Sequence, residues 1–327
     1  MTNENIDIMI QTAWMYYYEG KTQSEISKIL KISRQKVQRL LNKAKEEGIV
    51  QVKISDSAYK LISIKNSFKQ KFSIDDAIIV PTLEEGELLK RSLARATADY
   101  LSPLLKDVTT LGLGMGSTLS YLPDYIETSL SLKKDFRVVS LLGNLLSNHS
   151  SNPLSIGLKI SEKLGVPYYG LWAPYRVDSI EAAKTIKKQE MIARVLEMVK
   201  KADISVVGIG GIENRDLKDD IVNEKEVKIL KKMGAVGDIL GKWFDIEGRF
   251  VYEELSDKII GANVKTPGTT VGVAGGKEKI KAIFGALKGN LVDIIIIDEK
   301  TAEMVLRYLP EEDKLPKNQK GGKKNES

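Results

Sequence analysis

From residue 76 to residue 308 the chain alternates short β-branched runs with amphipathic stretches, and few architectures accept that rhythm. The runs are DAIIV at 76–80, VTTLGLG at 108–114, FRVVSLL at 136–142, PYYGLW at 167–172, ISVVGIG at 204–210, a segment near 258–264, TVGVAGG at 270–276 and VDIIIID at 292–298. Helical segments are expected between and after them, at 87–101, 118–128, 153–164, 187–201, 224–233, 277–288 and 299–308. Strands separated by helices pair through crossovers rather than hairpins, so the pattern predicts a Rossmann-like α/β domain with a mostly parallel sheet. No internal repeat is present, which argues against a solenoid.

The 327 residues, 42% hydrophobic and 29% charged, suffice for a large core and a second, small domain. The absence of cysteine excludes disulfides, thiolate metal sites and a cysteine nucleophile. No cofactor or metal site is expected. There is no signal-peptide pattern, and the longest apolar runs, such as 291–297, have strand length, so a cytoplasmic protein without a membrane partner is expected.

Residues 22–50, TQSEISKILKISRQKVQRLLNKAKEEGIV, read as a helix-turn-helix. Thr22 is placed to cap a helix with Ile26, Ile29 and Leu30 on one face; Ser33 is placed to cap a second, with Val37, Leu40, Leu41 and Ala44 on its apolar stripe. Off that stripe lie Arg34, Gln35, Gln38 and Arg39, whose side chains suit guanine and adenine edges in the major groove. With Thr22, Gln23, Ser33 and Lys36 they form the expected DNA-facing set. Residues 20–53 hold nine Lys/Arg and three Asp/Glu, a local charge of +6 that equals the net charge of the whole chain. A cationic patch on an otherwise balanced protein is the footprint of phosphate-backbone binding, although a helical hairpin with a solvated basic face is the competing reading. A preceding helix at 6–18 completes the module; its stripe of Ile6, Met9, Ile10, Ala13, Trp14 and Tyr17 reads as core, with the run Tyr16, Tyr17, Tyr18 mainly packing. Alternation in IVQVKI at 49–54 suggests a winged module.

In parallel sheets, ligands bind beyond the carboxyl ends of the strands. Three loops there are glycine-rich. The first, Gly112-Leu113-Gly114-Met115-Gly116-Ser117-Thr118, joins a strand to a helix and offers backbone N–H groups and hydroxyls to an anion. It matches neither the dinucleotide fingerprint nor the nucleoside-triphosphate P-loop, and a ligand-free tight turn is its alternative reading. The second is Gly208-Ile209-Gly210-Gly211; the third, Gly275-Gly276-Lys277, places a lysine at a helix start, where a bound anion would offset the dipole and a solvated lysine is equally admissible. Asp238, flanked by Gly237 and Gly241, could accept from sugar hydroxyls or cap a helix; Gly143, Asn144 and Asn152 could add amide contacts. His149, in SNHSSN, reads as an exposed loop residue.

Taken together the chain resembles SorC-type transcriptional regulators, sometimes grouped with the deoxyribonucleoside regulators. The resemblance spans residues 8–309. It rests on the segment at 23–50, LGLGMGSTLSYL at 111–122, VVSLLGN at 138–144, ADISVVGIGG at 202–211, GAVGDILGKWFDIEG at 234–248, GVAGGKEKIKAIFGAL at 272–287 and LVDIIIIDEKTAEMVL at 291–306. It implies a helix-turn-helix joined to an effector domain similar to glucosamine-6-phosphate deaminase and ribose-5-phosphate isomerase. It further implies homo-oligomers, dimeric or tetrameric, on double-stranded operator DNA. Phosphorylated-sugar effectors are implied, with the phosphate near Gly116, Ser117 and Thr118 and near Gly275, Gly276 and Lys277. Leu142 and Asn144 depart from the family pattern, which leaves the sugar open.

The expected organisation is a DNA-binding domain at 1–55, a linker helix at 56–75, an effector-binding and oligomerisation domain at 76–309 and a disordered charged tail at 310–327. The expected function is transcriptional regulation of carbohydrate metabolism by a sugar-phosphate-responsive, non-enzymatic protein. The competing function is a sugar-phosphate isomerase or deaminase with a fused DNA module. Such catalysis needs a base near the phosphate loops. ISVVGIGGIEN at 204–214 supplies only Glu213, with Asp203 and Asp238 as the other candidates.

Overall fold

The computed structural model describes residues 3–50, 55–83, 86–146, 150–213 and 221–308. The chain divides into two compact units, Met1–Tyr59 and Lys60–Ser327. The first holds α1 (Asn3–Tyr17), α2 (Gln23–Leu30) and α3 (Arg34–Glu46). Met9 and Ala13 of α1 pack on Leu40 and Ala44 of α3, and Ile26 of α2 packs on Val37 and Leu41. The aromatic stripe of α1 does not join this core: Trp14 is 53% exposed, Tyr18 75%, and Tyr16 and Tyr17 are also exposed. Three short helices bury only a narrow arc of each, and α1 spends its arc on Met9, Thr12 and Ala13, leaving Ile10, Trp14 and Tyr17 about a hundred degrees round the axis. Ile29 of α2 is exposed for the same reason. Of the expected wing strand, 51–54 lies outside the described residues, as do His149 and the tail at 310–327.

The larger unit is built on a seven-stranded, wholly parallel sheet. In chain order the strands are β1 (Asp76–Val80), β2 (Thr110–Leu113), β3 (Arg137–Ser140), β4 (Tyr168–Tyr169), β5 (Ile204–Gly208), β6 (Gly210–Gly211), β7 (Gly237–Ile239), β8 (Lys242–Phe244), β9 (Thr269–Val273) and β10 (Ile294–Asp298). The large sheet runs β1-β10-β9-β5-β2-β3-β4, while β6-β7-β8 form a small antiparallel sheet. Helices cover both faces of the large sheet, so alternate residues of one strand enter different cores. Ile295 and Ile297 of β10 join Phe68 and Phe72 of α4 (Asp56–Phe72), Val195 of α9 (Glu190–Val199), Phe284 of α12 (Ile280–Lys288) and Val305 of α13 (Glu299–Arg307). Ile294 and Ile296 join Leu93 and Leu101 of α5 (Glu87–Leu105), Leu122 of α6 (Leu122–Tyr125) and Ile160 of α7 (Pro153–Leu164). Burial on both faces accounts for the unbroken apolar run of this strand.

The observed elements differ from expectation in several places. The helix expected at 187–201 is α9, and a helix that was not expected, α8 (Ile180–Lys187), capped by Ser179, precedes it. The helix placed at 118–128 is a 3₁₀ turn at Leu119–Tyr121 followed by the single turn of α6. No strand forms near 258–264; isolated bridges tie Ile259 to Arg176 and Gly261 to Leu142. Residues 237–241 form β7 and the turn of a hairpin, so Asp238 caps no helix; positive φ at Leu240 (52°) and Gly241 (72°) suits a tight two-residue connection. A third, smaller core, with Trp243, Val227 of α10 (Glu224–Lys232) and Leu255 of α11 (Glu253–Asp257), belongs to this inserted region.

Strand order reverses between neighbours β2 and β5: the chain proceeds through β3 to β4 on one side and through β9 to β10 on the other. Crossovers leave this point in opposite directions and open a crevice at the carboxyl ends. At the amino ends, Asp203 clasps the two strands together, its carboxylate accepting from Thr109 N (2.8 Å), Thr110 N (2.9 Å) and Thr109 Oγ1 (3.0 Å). Burial pushes this carboxyl up, but those donors together outweigh it and hold its pKa below the ordinary aspartate value. A folded pKa below the unfolded one stabilises the fold above about pH 4 and is lost as pH falls through the folded value. Asp203→Asn is therefore expected to cost about 2 kcal/mol in urea unfolding at pH 7, with the gap to wild type closing below about pH 4. An unchanged midpoint at pH 7 would remove the clasp from this account.

Candidate functional site

The surface of the small unit expected to face DNA is assembled by two caps. Thr22 Oγ1 accepts from Glu25 N (3.3 Å) while the Glu25 carboxylate accepts from Thr22 N (2.8 Å), closing a capping box at the start of α2. Lys31 turns the chain in the left-handed conformation (φ 51°), and Ser27 Oγ donates to Ile32 O (2.6 Å) across the turn. Ser33 Oγ then accepts from Lys36 N (3.2 Å) and starts α3. With Val37, Leu40, Leu41 and Ala44 buried, α3 leaves Arg34, Gln35, Gln38 and Arg39 exposed; Thr22 and Ser33 are exposed, Gln23 and Lys36 half-buried. Gln35, Gln38 and Arg39 line one shallow groove with Asn42, Lys43 and Glu46. Asn42 and Lys43 continue the Gln38/Arg39 face one turn on; their helical spacing could have revealed them.

In the larger unit a cavity of about 440 Å³ opens where β2 and β5 part. The loops after β2, β5 and β9 all reach it: Gly116, Ser117 and Thr118, then Gly208 and Gly210, then Gly275 and Gly276 line its wall. Gly116 has φ 143°, a conformation that side-chain-bearing residues avoid, although a Cβ there would meet nothing within 4 Å. At Gly275 the constraint is space, since a Cβ would lie 2.6 Å from Asp298 Oδ1.

Several backbone donors of these loops are already committed. Gly114 N donates to Val206 O (2.9 Å), Gly116 N to Ser151 O (3.3 Å) and Gly276 N to Thr301 Oγ1 (2.9 Å), so none of the three is available to a ligand. The N–H groups of Ser117 and Thr118 and the Thr118 hydroxyl make no hydrogen bond among the described residues. Thr118 is only 6% exposed and lines the cavity, where its hydroxyl is open to a guest.

Other expected residues lie apart from the cavity wall. Lys277 is exposed and outside the lining, which takes Lys279 from the same turn instead. Asn152 caps α7, accepting from Leu154 N (3.2 Å) and donating to Leu145 O (3.2 Å), and so fixes a lining residue. Asn144 donates to Leu171 O (3.0 Å) and lines a separate hollow with Trp172, and Gly143 N donates to Ile260 O (2.8 Å). Asp238, buried in β7, accepts from Gly241 N (3.2 Å). Two lining cations, Lys90 and Lys279, were not singled out from sequence. Lys90 follows β1, whose loop carries no glycine cluster to draw attention to it.

Comparison with known proteins agrees with this two-part arrangement. Residues 56–307 match the family model described as "Putative sugar-binding domain", and residues 14–46 match sigma-70 region 4. The chain is 31% identical over 307 residues to the transcriptional regulator LsrR of Escherichia coli, covering 90% of this chain and 93% of that protein. It is 28% identical over 312 residues to the erythritol catabolism regulatory protein EryD of Brucella abortus, covering 94% and 98%. Among solved structures, a transcriptional regulator from Streptococcus pneumoniae superposes with a TM-score of 0.71 at 26% identity, covering 77% of this chain and 98% of that one. The full-length sorbitol operon regulator SorC from Klebsiella pneumoniae shares the fold, with a TM-score of 0.71 at 23% identity over 92% of this chain and 99% of that one. The chain thus belongs to the SorC-type family of DNA-binding transcriptional regulators that carry a sugar-binding domain.

Proposed function

We propose that this protein regulates genes of carbohydrate metabolism by binding operator DNA through α2 and α3, and that a phosphorylated sugar in the β2/β5 cavity alters that binding. The observation that carries the effector half is the set of unpartnered donors on Ser117 and Thr118 at the cavity wall, an arrangement suited to phosphate oxygens. The sugar-pathway name of the relative EryD supports the same reading. The protein acts in the cytoplasm as a homo-oligomer, dimeric or tetrameric, because one recognition helix reads too short a half-site and paired modules match a pseudo-palindromic operator. Residues 1–55 serve DNA, 56–75 link, and 76–309 bind effector and assemble.

Catalysis is not part of this reading. Asp203 works at the amino ends of the strands, remote in the fold from the cavity at the carboxyl ends, and the Glu213 carboxylate at the cavity rim is paired with Lys281 (2.9 Å). Incubation with pentose and hexose phosphates is expected to give no isomerisation or deamination above background.

A ligand shifts operator affinity only by binding the DNA-competent and incompetent states unequally. Thermal-shift screening against sugar phosphates and their free parents, followed by operator binding with each hit, tests the proposal. Phosphorylated sugars are expected to stabilise more than their parents. Thr118→Val, nearly isosteric, is expected to weaken the effector roughly tenfold to hundredfold and leave effector-free DNA binding intact. Equal binding of sugar and sugar phosphate would contradict the phosphate reading.

For DNA, Arg34→Ala and Gln38→Ala are each expected to cost about 1–3 kcal/mol of operator binding while nonspecific affinity falls less. If both variants keep the wild-type operator preference in competition gel shifts, the assignment of α3 as the reading helix is wrong.

A further inference from the structure

An effector in the β2/β5 cavity, the reading on which this inference rests, changes DNA binding only if its presence is felt at the linker helix α4. We propose that α13 couples the two. Thr301 in its first turn holds the cavity wall, while Glu299 and Glu303 on the opposite face hold Lys60 of α4.

The boundary between the two units falls within α4, after Tyr59, so this helix is the covalent route from one to the other. Its second half is embedded in the larger unit. Ile64, Phe68 and Phe72 are buried, Phe72 meets Phe284 edge-on with 5.6 Å between ring centres, and Lys71 Nζ donates to Leu306 O (2.6 Å) at the end of α13. The first turns are different: before Ile64 no described side chain of α4 is buried, and Tyr59 and Ile62 are exposed. That stretch is tied to α13 by Lys60, whose ammonium pairs with Glu299 (2.5 Å) and Glu303 (2.8 Å). Exposed ion pairs are individually weak, so this attachment is made and broken at little cost, whereas the Phe68 and Phe72 anchor opens only with the core.

The other face of the same turn of α13 belongs to the cavity. Thr301 Oγ1 accepts from Gly276 N (2.9 Å), and Thr301 N donates to Asp298 Oδ2 (3.1 Å). That carboxylate also accepts from Thr82 Oγ1 (3.0 Å), whose oxygen in turn accepts from Lys300 N (2.7 Å). Gly275 lies directly against it, since a Cβ there would fall 2.6 Å from Asp298 Oδ1. Gly275 and Gly276 line the cavity, and Asp298 and Thr301 are buried behind them. Thr301 stands two residues from each glutamate, about 200° round a helix, so one turn presents the hydroxyl to the wall and both carboxylates to Lys60. The wall at 275–276 therefore shifts either by breaking the Gly276–Thr301 bond or by carrying the start of α13 with it, and a displaced start changes the fit of Glu299 and Glu303 to Lys60. Such a coupling acts equally in both directions.

Hydrogen–deuterium exchange of the full-length protein reads both ends of this path without knowledge of the effector. Thr301→Val, nearly isosteric, removes the acceptor of Gly276 and is expected to speed exchange of 272–280 about tenfold. Through α13 it is also expected to speed exchange of 60–66 by about twofold or more, although it touches no residue of α4. Lys60→Met is expected to speed exchange of 60–66 about twofold to fivefold and to loosen 272–280 in the same sense. Thr301→Ser and Lys60→Arg, which keep the hydroxyl and the charge, are expected to follow wild type, and β3 is expected to exchange alike in all of them. If each substitution alters only its own end, or if β3 loosens as much as the two ends do, the coupling through α13 is overturned. Ribose 5-phosphate, fructose 6-phosphate and glucosamine 6-phosphate serve as effector probes. One that alters exchange of 272–280 is expected to alter that of 60–66 in wild type but not in Lys60→Met; a change confined to 272–280 in wild type contradicts the proposal. If none of the three alters 272–280 while the variants behave as expected, the effector reading loses its support and the coupling stands.

Discussion

The larger unit depends on a sheet whose strands all run the same way and are buried on both faces. Parallel pairing forces each connection to cross a face of the sheet, and the helices that make those crossings supply the two hydrophobic cores. Where the chain changes direction, between β2 and β5, successive crossovers lead away from each other and leave a crevice at the carboxyl ends of the strands. The cavity is a consequence of that topology. Loops that end its strands line it together with the start of α5, and the backbone at Gly116 takes a conformation that a side chain would resist.

Polar groups at the two ends of the sheet have opposite duties. At the amino ends the Asp203 carboxylate is saturated by the backbone of Thr109 and Thr110 and by the Thr109 hydroxyl, a closed arrangement that holds strands together. At the carboxyl ends the Ser117 and Thr118 donors are left open. A polar group satisfied within the protein builds structure, and one left open at a cavity is available to a ligand. In the small unit, charge takes that role: residues 20–53 carry a charge equal to the whole +6 of the chain, and the caps at Thr22 and Ser33 hold in order the helices that bear much of it.

Much of this was legible without coordinates. Periodicity placed β1, α7 and the strands around the glycine loops because their apolar residues answer to one local rule each. Capping was legible for the same reason, since Thr22 and Glu25 are three residues apart and satisfy each other within one turn. The errors came where partners are distant in sequence. The α1 stripe looked continuous, yet the short helices of its unit bury only part of it, and Trp14 stays in solvent. The segment near 258–264 had strand composition but met only isolated bridges, and the β7–β8 hairpin hid inside a glycine-flanked aspartate motif.

The sequence by itself determined that a cationic helix-turn-helix precedes a mostly parallel α/β domain, and which glycine loops end its strands, because helix caps, hydrophobic periods and charge are properties of neighbours along the chain. Tertiary structure alone decided that Lys90 and Lys279 line the cavity while Lys277 lies off its wall, and that Asn144, Asn152 and Asp238 hold neighbouring backbone groups. Those outcomes turn on which backbone groups are consumed by residues tens of positions away, as Gly114 by Val206 and Gly276 by Thr301, and no local pattern records that competition.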